Sequence, residues 1–368
     1  MAFAIQGIGT AVPPTKLTRE ESIRIAEALG YATEDHATWL PLMYENTGIK
    51  TRHIFFPQEV VQDVIETTTH SGSVFLPTGK LGDQGPTTHQ RMEHYAKYAK
   101  PLAIKAATRA IERAGISKDR LTHLITVSCT GFEAPGVDIA LITELELPPM
   151  LERTHVGYMG CHGSLNGLRV ANAFTTAGPD ACVLLCAVEL CSLHYHYGWE
   201  PQRLIANALF ADGAAAVVGT SGENVSTDTW AVTASGSYVL PHTQDAMTWT
   251  VGDHGFCMTL SKKLPELIRT NLKPWLSKWL GRSGLDISNV GSWAVHPGGP
   301  AILEAVESGL DLPPNALSYS RDVLARYGNM SSPTVLFVLD RMRTAKAALP
   351  CVVLGFGPGL TAEVALVR

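Results

Sequence analysis

The chain has 368 residues, 45% of them hydrophobic and 17% charged, and a formal net charge of −5. This length suits one large domain or two fused ones, and the composition is that of a globular protein. The sequence predicts no nucleic-acid partner, because lysine and arginine do not cluster. It predicts no membrane span, because no apolar run reaches roughly 18 residues.

The N-terminal segment MAFAIQGIGTAVPP predicts a short strand that ends at Pro13 and Pro14. It lacks the basic start and long apolar core of a signal peptide. The seven cysteines are an odd number and lie mostly in apolar segments, which is typical of reduced, buried thiols rather than of a disulfide framework. We therefore expect a cytoplasmic protein.

Predicted strands and helices alternate along the rest of the chain. A surface loop is predicted over 71–88, and a helix with a break or kink at Pro101 over 91–115. Buried strands are predicted over 121–131 and 181–190, where apolar residues follow one another. A turn and strand are predicted within 206–221, a helix over 259–281, and a strand ending in a glycine turn over 288–299. A helix is predicted over 331–348, with Ser332 as its N-cap and Pro333 in its first position. Two strands are predicted over 350–368.

This alternation favours an α/β fold whose helices cover its sheets. The polar segment 222–230 suggests a boundary between two halves, 1–225 and 226–368. DGAAAVVG and GLTAEVAL echo each other weakly and suit the final strands of two similar halves.

The segment HVGYMGCHGSLNGLRVANAF, residues 155–174, places Cys161 on a sharp turn before a predicted helix. Glycines there allow a tight backbone and the close approach of a substrate. Free N–H groups at the start of a helix favour a thiolate, which makes a cysteine nucleophilic near neutral pH. The competing interpretation is a small buried residue, which we prefer for Cys182, Cys186 and Cys351.

A nucleophilic thiol needs a base and a group that stabilises negative charge. His296 lies at a predicted strand end before a Pro-Gly-Gly turn, whereas His162 is adjacent to Cys161 and is expected to point away from it. Asn329 is either a turn residue or an amide donor to an oxyanion. His194 and His196 share one face of an extended segment, but no further ligand has zinc-like spacing, so we expect no metal.

Together these segments resemble the type III polyketide synthases, the chalcone synthase-like enzymes, over nearly the whole chain. The resemblance implies a thiolase-like layered α-β-α-β-α fold, a homodimer, and acyl-CoA and malonyl-CoA as substrates with no cofactor. The motifs that carry it are AIQGIGTAVPP, TGIKTRH, SCTGFEAPGVD, the Cys161 segment, ALFADGAAAVV, AVHPGGPAIL, YGNMSSPTVLFVLD and GFGPGLTAE.

By this resemblance Cys161 carries the acyl chain as a thioester, and His296 and Asn329 bind the thioester carbonyl and promote decarboxylation. An imidazolium at His296 is expected to hold Cys161 as a thiolate. Phe210 matches a gatekeeper, and a second gate falls on Met258 or on Phe256. Other matched pocket positions are Cys129, Thr130, Glu189, Cys191, His194, Trp249 and Ser331.

Two departures from the plant enzymes stand out. Their CoA-binding basic residues are replaced here by TWLPLMYEN, which leaves Lys50 and Arg52 as substitutes. Trp249 is bulky where plant chalcone synthases have a small residue, so a pocket of different shape is expected.

The expected function is therefore iterative decarboxylative condensation of malonyl-CoA onto an acyl-CoA starter, followed by cyclisation to a pyrone, resorcinol or phloroglucinol-type product. The first alternative is a single-condensation 3-oxoacyl-ACP synthase of the same superfamily. The second is a catalytically silent scaffold subunit that keeps the fold.

Overall fold

The computed structural model describes residues 2–31, 33, 38–80, 82–222 and 229–368. Within them the chain forms thirteen β-strands and eleven α-helices. The strands are β1 (Ala2–Ala11), β2 (Thr15–Thr18), β3 (Thr51–Ile54), β4 (His123–Ser128), β5 (Glu152–Gly157), β6 (Cys182–Leu190), β7 (Asp212–Gly222), β8 (Ala231–Val239), β9 (Met247–Gly252), β10 (Gly255–Leu260), β11 (Ser292–Val295), β12 (Cys351–Gly357) and β13 (Thr361–Val367). The helices are α1 (Arg19–Gly30), α2 (Trp39–Asn46), α3 (Gln58–Glu66), α4 (Thr88–Ala114), α5 (Val137–Glu144), α6 (Gly163–Ala177), α7 (Pro201–Leu209), α8 (Leu264–Gly281), α9 (Pro300–Gly309), α10 (Ser318–Tyr327) and α11 (Thr334–Thr344).

Nine strands form one sheet in the order β11-β12-β13-β8-β1-β7-β6-β4-β5. Its two sections join where β1 meets β8 through two residue pairs. In each section the first strand pairs antiparallel with the last, as β1 does with β7 and β8 with β13. The last strand pairs antiparallel with β6 or β12, which in turn lies parallel to β4 or β11. The echo between the DGAAAVVG and GLTAEVAL segments is confirmed, because β7 and β13 occupy equivalent places. The predicted boundary between residues 225 and 226 lies outside the described residues.

Alternating side chains divide the interior into three cores. On β6, Leu184 packs in a core with α4, whereas Leu185 faces a second core that contains α6 and α11. On β12, Val353 packs in that same second core, whereas Val352 faces a third core formed with α8 and α9. The layers therefore follow the order helix, sheet, helix, sheet, helix. Because the strands are buried on both faces, their sequences are continuous apolar runs. This confirms the predicted layered α-β-α-β-α architecture.

The two similar halves of the sheet bring four chain segments together around one site. Cys129 follows β4 and His296 follows the equivalent strand β11. Cys161 precedes the central helix α6, and Asn329 precedes the equivalent helix α11. The reactive residues of the two halves thus come from equivalent strand ends and helix starts.

Several predicted boundaries change. Pro101 does not break α4, which runs continuously from a capping box between Thr87 and Gln90 to Gly115. The helix predicted over 259–281 begins only at Leu264, because the preceding residues belong to the β9–β10 hairpin. The predicted surface loop over 71–88 buries Phe75, whose carbonyl oxygen accepts a hydrogen bond from the Tyr197 hydroxyl over 2.6 Å.

The N-cap predicted at Ser332 is wrong. Helix α11 begins at Thr334 after Pro333, and the Thr334 hydroxyl bonds to the Ser331 carbonyl oxygen over 2.8 Å. The Ser332 hydroxyl instead donates to Glu189 Oε1 over 2.6 Å. The buried Glu189 carboxylate thus accepts a hydrogen bond from the hydroxyl that the sequence pattern predicted to cap the helix.

Candidate active site

Cys161 lies in a single 3-10 turn, Gly160–His162, that leads directly into α6. Gly160 has a φ of 65°, and a Cβ there would lie 2.6 Å from Cδ of Pro358 in the C-terminal loop, residues 358–360 between β12 and β13. A Cβ on Gly163 would lie 2.8 Å from Val127 Cγ1. The glycines of this segment therefore permit close packing of the nucleophile turn against β4 and the C-terminal loop.

Two cavities meet at Cys161. The inner cavity has a volume of about 260 Å³, and the outer channel about 750 Å³. His296 and Asn329 line the outer channel. The inner cavity is lined, among others, by Cys129, Thr130, Cys191, His194, Trp249, Phe256 and Ser331. The residues that line both are Cys161, Phe210, Met247 and Met258.

The junction distinguishes the two candidates for the second gate. Met258 lines both cavities and packs against Cys161, Cys191 and Phe210. Phe256 lines only the inner cavity, where its ring stacks on His194 at 4.3 Å between centroids. Met258 therefore borders the passage together with Phe210, whereas Phe256 borders the inner cavity alone.

His296 follows β11, and its backbone N–H donates to the Leu354 carbonyl oxygen over 2.7 Å. The residue is 1% exposed, and neither ring nitrogen has a hydrogen-bond partner among the described residues. An unpartnered imidazole that lines the channel beside Cys161 is available to a substrate carbonyl or to the thiol proton.

Asn329 is held by its backbone and oriented by its side-chain oxygen. Its N–H donates to the Leu209 carbonyl oxygen over 2.9 Å, and its own carbonyl oxygen accepts from Ala211 N–H over 2.8 Å. Oδ1 accepts from the backbone N–H of Ser331 over 2.8 Å, and Nδ2 donates to the Gly298 carbonyl oxygen over 3.3 Å. With its oxygen bonded to Ser331 and one N–H directed to Gly298, the amide has its second N–H left as a donor for the channel.

Burial opposes the thiolate expected from the helix start. Burial raises the pKa of the Cys161 thiol to about 11, although hydrogen bonds from Ser331 and Asn329 act in the opposite direction. Burial also lowers the pKa of the His296 imidazole to about 3. Position before α6 therefore does not by itself lower the thiol pKa, and the thiolate expected to be held by an imidazolium at His296 stays a prediction.

His162 does not serve Cys161. Its Nδ1 lies 2.7 Å from Asn166 Oδ1, and its Nε2 lies 2.6 Å from Thr361 Oγ1. Both ring nitrogens are thus paired with side chains of α6 and β13. The structure agrees with the expectation that this neighbouring histidine points away from the thiol.

Glu189 is fully buried and lies behind the inner cavity rather than in its lining, contrary to prediction. Its carboxylate accepts from Cys129 N–H over 3.0 Å and from the hydroxyls of Thr130 and Ser332 over 2.7 and 2.6 Å. Burial raises its pKa, and these hydrogen bonds act in the opposite direction. Glu189 therefore fixes segments that themselves line the cavity.

His194 and Trp249 hold the opposite side of the inner cavity. His194 Nε2 donates to the Thr130 carbonyl oxygen over 2.7 Å, and Nδ1 accepts from Phe256 N–H over 2.9 Å. Trp249 Nε1 donates to the Cys129 carbonyl oxygen over 2.8 Å. Burial lowers the pKa of His194 to about 3, so the imidazole is neutral. Across the described part of the chain, no three His, Cys, Asp or Glu side chains are grouped to hold a metal ion.

Neither basic residue expected to bind CoA lies in the channel. Arg52 is buried, and its guanidinium donates to the carbonyl oxygens of Asn207 over 2.9 Å, of Phe210 over 3.0 Å and of Ala208. It therefore caps the end of α7 beside the gate. Lys50 is exposed and lines neither cavity.

Sequence reasoning missed much of the lining of these spaces. Met247 borders both cavities, and Trp39 and Lys262 line the outer channel. The signal for Met247 was the alternating pattern of the hairpin over 247–260, of which only residues 259–260 fall within a predicted element, the helix over 259–281.

Two family models cover nearly the whole chain. The model for the N-terminal domain of chalcone and stilbene synthases matches residues 2–222, and the model for the C-terminal domain matches residues 231–368. The chain belongs to the chalcone and stilbene synthase family. It is a type III polyketide synthase and therefore an acyltransferase-type enzyme.

Similar proteins agree with this membership. The alpha-pyrone synthesis polyketide synthase-like Pks18 of Mycobacterium tuberculosis is 32% identical over 98% of this chain and 89% of that protein. The 1,3,6,8-tetrahydroxynaphthalene synthase of Streptomyces peucetius is 31% identical over 99% of this chain and 93% of that protein. The crystal structure of PKS-I from the brown alga Ectocarpus siliculosus has a TM-score of 0.88 and 30% identity, covering 100% of this chain and 98% of that one. The single-condensation alternative is not favoured by these similarities. No helix in the described ranges is long and apolar enough to cross a membrane.

Proposed function

We propose that this enzyme condenses malonyl-CoA units repeatedly onto an acyl-CoA starter held as a thioester on Cys161. The finished chain then cyclises to a pyrone, resorcinol or phloroglucinol-type product. CoA thioesters are the substrates, and the proposed chemistry requires no cofactor. The observation that carries the proposal is the position of Cys161 where the channel, lined by His296 and Asn329, meets the inner cavity.

Loading of the starter begins with proton transfer from Cys161 to His296. The thiolate attacks the acyl carbon, the C–S bond to CoA breaks, and the proton leaves with the CoA thiol. Burial disfavours each charge alone, but transfer within the pair creates two opposite charges side by side, whose attraction offsets that cost. The start of α6 and hydrogen bonds from Ser331 and Asn329 favour the thiolate further.

Extension requires a malonyl-CoA carbonyl between His296 and Asn329. As carbon dioxide leaves, the C–C bonding electrons form an enolate whose oxygen accepts hydrogen bonds from His296 and Asn329 Nδ2. One such donor is worth roughly 3 kcal/mol of barrier. The enolate carbon then attacks the thioester on Cys161, forms the new C–C bond and releases the thiolate for reloading.

The gate and inner cavity limit the growing chain. Phe210 and Met258 flank the passage, and the cavity beyond holds about 260 Å³. Trp249 occupies part of that wall, as the sequence comparison with plant enzymes suggested. The name of the Mycobacterium relative includes alpha-pyrone synthesis, which supports a pyrone among the proposed products.

The test is product formation from malonyl-CoA and a panel of acyl-CoA starters, without any carrier protein, followed by mass spectrometry. Cys161→Ala should form no polyketide while still binding CoA, because only the nucleophile is removed. Undiminished product from this variant contradicts the proposal, and dependence on an acyl carrier protein supports the single-condensation alternative. The scaffold alternative is supported if labelled malonyl-CoA releases no carbon dioxide with any starter.

We further propose a homodimer that forms along the edge of β5. This strand ends the nine-stranded sheet, and large apolar side chains are exposed around it. Phe132 is 68% exposed and Met150 90%, values that suit a covered surface better than a free one. Sedimentation should give twice the chain mass of 39.6 kDa, and Met150→Glu should shift it toward the monomer.

The enzyme's location remains a prediction. All seven cysteines are free in the structure, six of them buried and Cys257 half-buried. Unpaired thiols suit a reducing compartment such as the cytoplasm. Fractionation of cells that express the full chain, with immunodetection in each fraction, tests this assignment.

A further inference from the structure

The mouth of the outer channel is mostly apolar. Helix α2 forms one side of it, and Trp39, Leu42 and Met43 of that helix line the channel. Leu42 is 60% exposed at the rim. Ile205 of α7 and Ile302 of α9 line the other sides. Trp39 is fixed by an edge-to-face contact with Trp199, whose ring centroid lies 5.5 Å away.

Charged groups are few in this lining. Within the described residues only Lys262 and Glu304 among the channel residues carry a charge, and both are exposed. No salt bridge joins either of them to another residue described in the structure. Helix α2, of sequence WLPLMYEN, contributes no cation and carries the acidic Glu45.

The channel lining offers few cationic side chains to bind the nucleotide of CoA. The 3′-phosphate and diphosphate of CoA are ionised near neutral pH and are usually held by several Lys or Arg side chains. Arg52 is committed to the end of α7, and Lys50 lies outside the lining. Among the described residues, Lys262 is thus the only cation in the channel lining, and Glu304 repels phosphate at the same rim.

The apolar lining of the channel suits the pantetheine arm of CoA better than it suits the nucleotide. The arm is an uncharged chain that must run from the mouth to Cys161 between the apolar residues of α2, α7 and α9. Its thioester end reaches His296 and Asn329, which supply the polar contacts at the reacting carbonyl. Contact along this length does not depend on the nucleotide.

We propose that this enzyme recognises its substrates by the pantetheine arm and thioester, with Lys262 as the single phosphate partner, so that pantetheine thioesters lacking the nucleotide are also substrates. The inference rests on the proposed function, since it concerns the thioesters which that reaction consumes. It assigns Lys262 a binding role and extends the substrate class beyond CoA.

The first experiment compares malonyl-CoA with malonyl-pantetheine as extender, with one acyl-CoA starter at a saturating concentration. One exposed lysine–phosphate contact is worth about two- to fivefold in affinity. We therefore expect kcat/KM for malonyl-pantetheine to lie within about tenfold of that for malonyl-CoA. A larger loss overturns the proposal, because it would show that the nucleotide is required.

The second experiment uses neighbouring lysines as a matched pair. Lys262→Ala should raise KM for malonyl-CoA about two- to fivefold, leave kcat unchanged and leave KM for malonyl-pantetheine unchanged. Lys263→Ala is the control, since Lys263 is also exposed but does not line the channel. Equal effects of the two substitutions, or an equal effect of Lys262→Ala on both extenders, overturn the assignment.

A binding measurement separates this inference from the proposed reaction. Calorimetric titration of the Cys161→Ala variant with CoA and with pantetheine reports affinity without turnover. Dissociation constants within about tenfold of each other support the inference even if the reaction is assigned differently. Absence of polyketide from malonyl-CoA itself contradicts the proposed function, whereas failure with malonyl-pantetheine alone contradicts only this inference.

Discussion

The backbone N–H of Ser331 donates a hydrogen bond to Oδ1 of Asn329 over 2.8 Å. Because the oxygen is occupied in this way, the amide nitrogen is left to Gly298 and to the channel. In the sequence Asn329 resembles a simple turn residue, but a hydrogen bond from a residue two positions further along the chain sets the orientation of its side chain. It makes Asn329 a donor at the place where an enolate oxygen is proposed to form.

Asn329→Asp tests that donor with little change of shape. The carboxylate still accepts from Ser331 but offers no N–H to the enolate, and its charge opposes the one that develops. We expect carbon dioxide release from malonyl-CoA to fall by about 10²- to 10³-fold, as for loss of one oxyanion donor. Acylation of Cys161 by the starter, followed by intact-protein mass spectrometry, should fall much less. Parallel losses in both steps would contradict a specific role in decarboxylation.

His296→Gln tests the proton acceptor. Burial alone keeps the Cys161 thiol protonated, with a pKa of about 11, so the thiolate depends on transfer to His296. The rate of alkylation of Cys161 by iodoacetamide near pH 7 should fall about tenfold or more in this variant. His162→Gln is the matched comparison, because His162 is adjacent in sequence but bonded to Asn166 and Thr361. If alkylation slows equally in both variants, His296 is not the acceptor.

Met258→Ala and Phe256→Ala separate the gate from the cavity wall. Met258 borders both spaces, so its truncation should widen the passage and raise kcat/KM for bulkier acyl-CoA starters relative to small ones. Phe256 lies only in the inner cavity, so its truncation should change product chain length or cyclisation with little change in starter preference. Competition assays with paired starters and mass spectrometry of products measure the two effects. A reversed pattern would place the gate at Phe256.

His194→Gln tests how buried imidazole contributes to acid sensitivity. The folded-state pKa of His194 is lowered from 6.5 to about 3, so between these values the unfolded chain binds a proton that the folded chain does not. Stability is therefore lost as the pH falls below about 6.5, by about 2 kcal/mol at pH 5 for one such group. Glutamine keeps one donor and one acceptor but does not titrate. The loss of unfolding free energy between about pH 7 and pH 5, measured in urea, should shrink by that amount. An unchanged loss of unfolding free energy over this pH range in the His194→Gln variant would contradict this contribution of His194.

Much of the local structure was predictable. The apolar run of 182–190 predicts a buried strand because both faces of β6 are covered. The glycine turn at Cys161, the strand end at His296 and the loop at Asn329 were recognisable because each depends on a few adjacent residues. Their order along the chain also carried the resemblance to the family that the two domain models establish.

The predictions that failed concern side-chain direction. Glu189 and Arg52 were expected to contact substrate, but Glu189 turns toward Ser332 and Thr130, and Arg52 toward carbonyl oxygens at the end of α7. Those partners lie up to 158 residues away in the chain. No local pattern indicates them, because a buried charge is directed by whichever distant polar groups the fold places around it.

The sequence by itself determined the elements of each half, the nucleophile turn and the family, since these depend on local propensity, periodicity and adjacent residues. Tertiary structure alone decided that Met258 borders both cavities together with Phe210 whereas Phe256 borders only the inner one, because the β9–β10 hairpin packs against α7. It also decided that burial raises the pKa of the Cys161 thiol and lowers the pKa of the His296 imidazole. That outcome follows from burial by layers drawn from both halves, which outweighs the local advantage of a helix start.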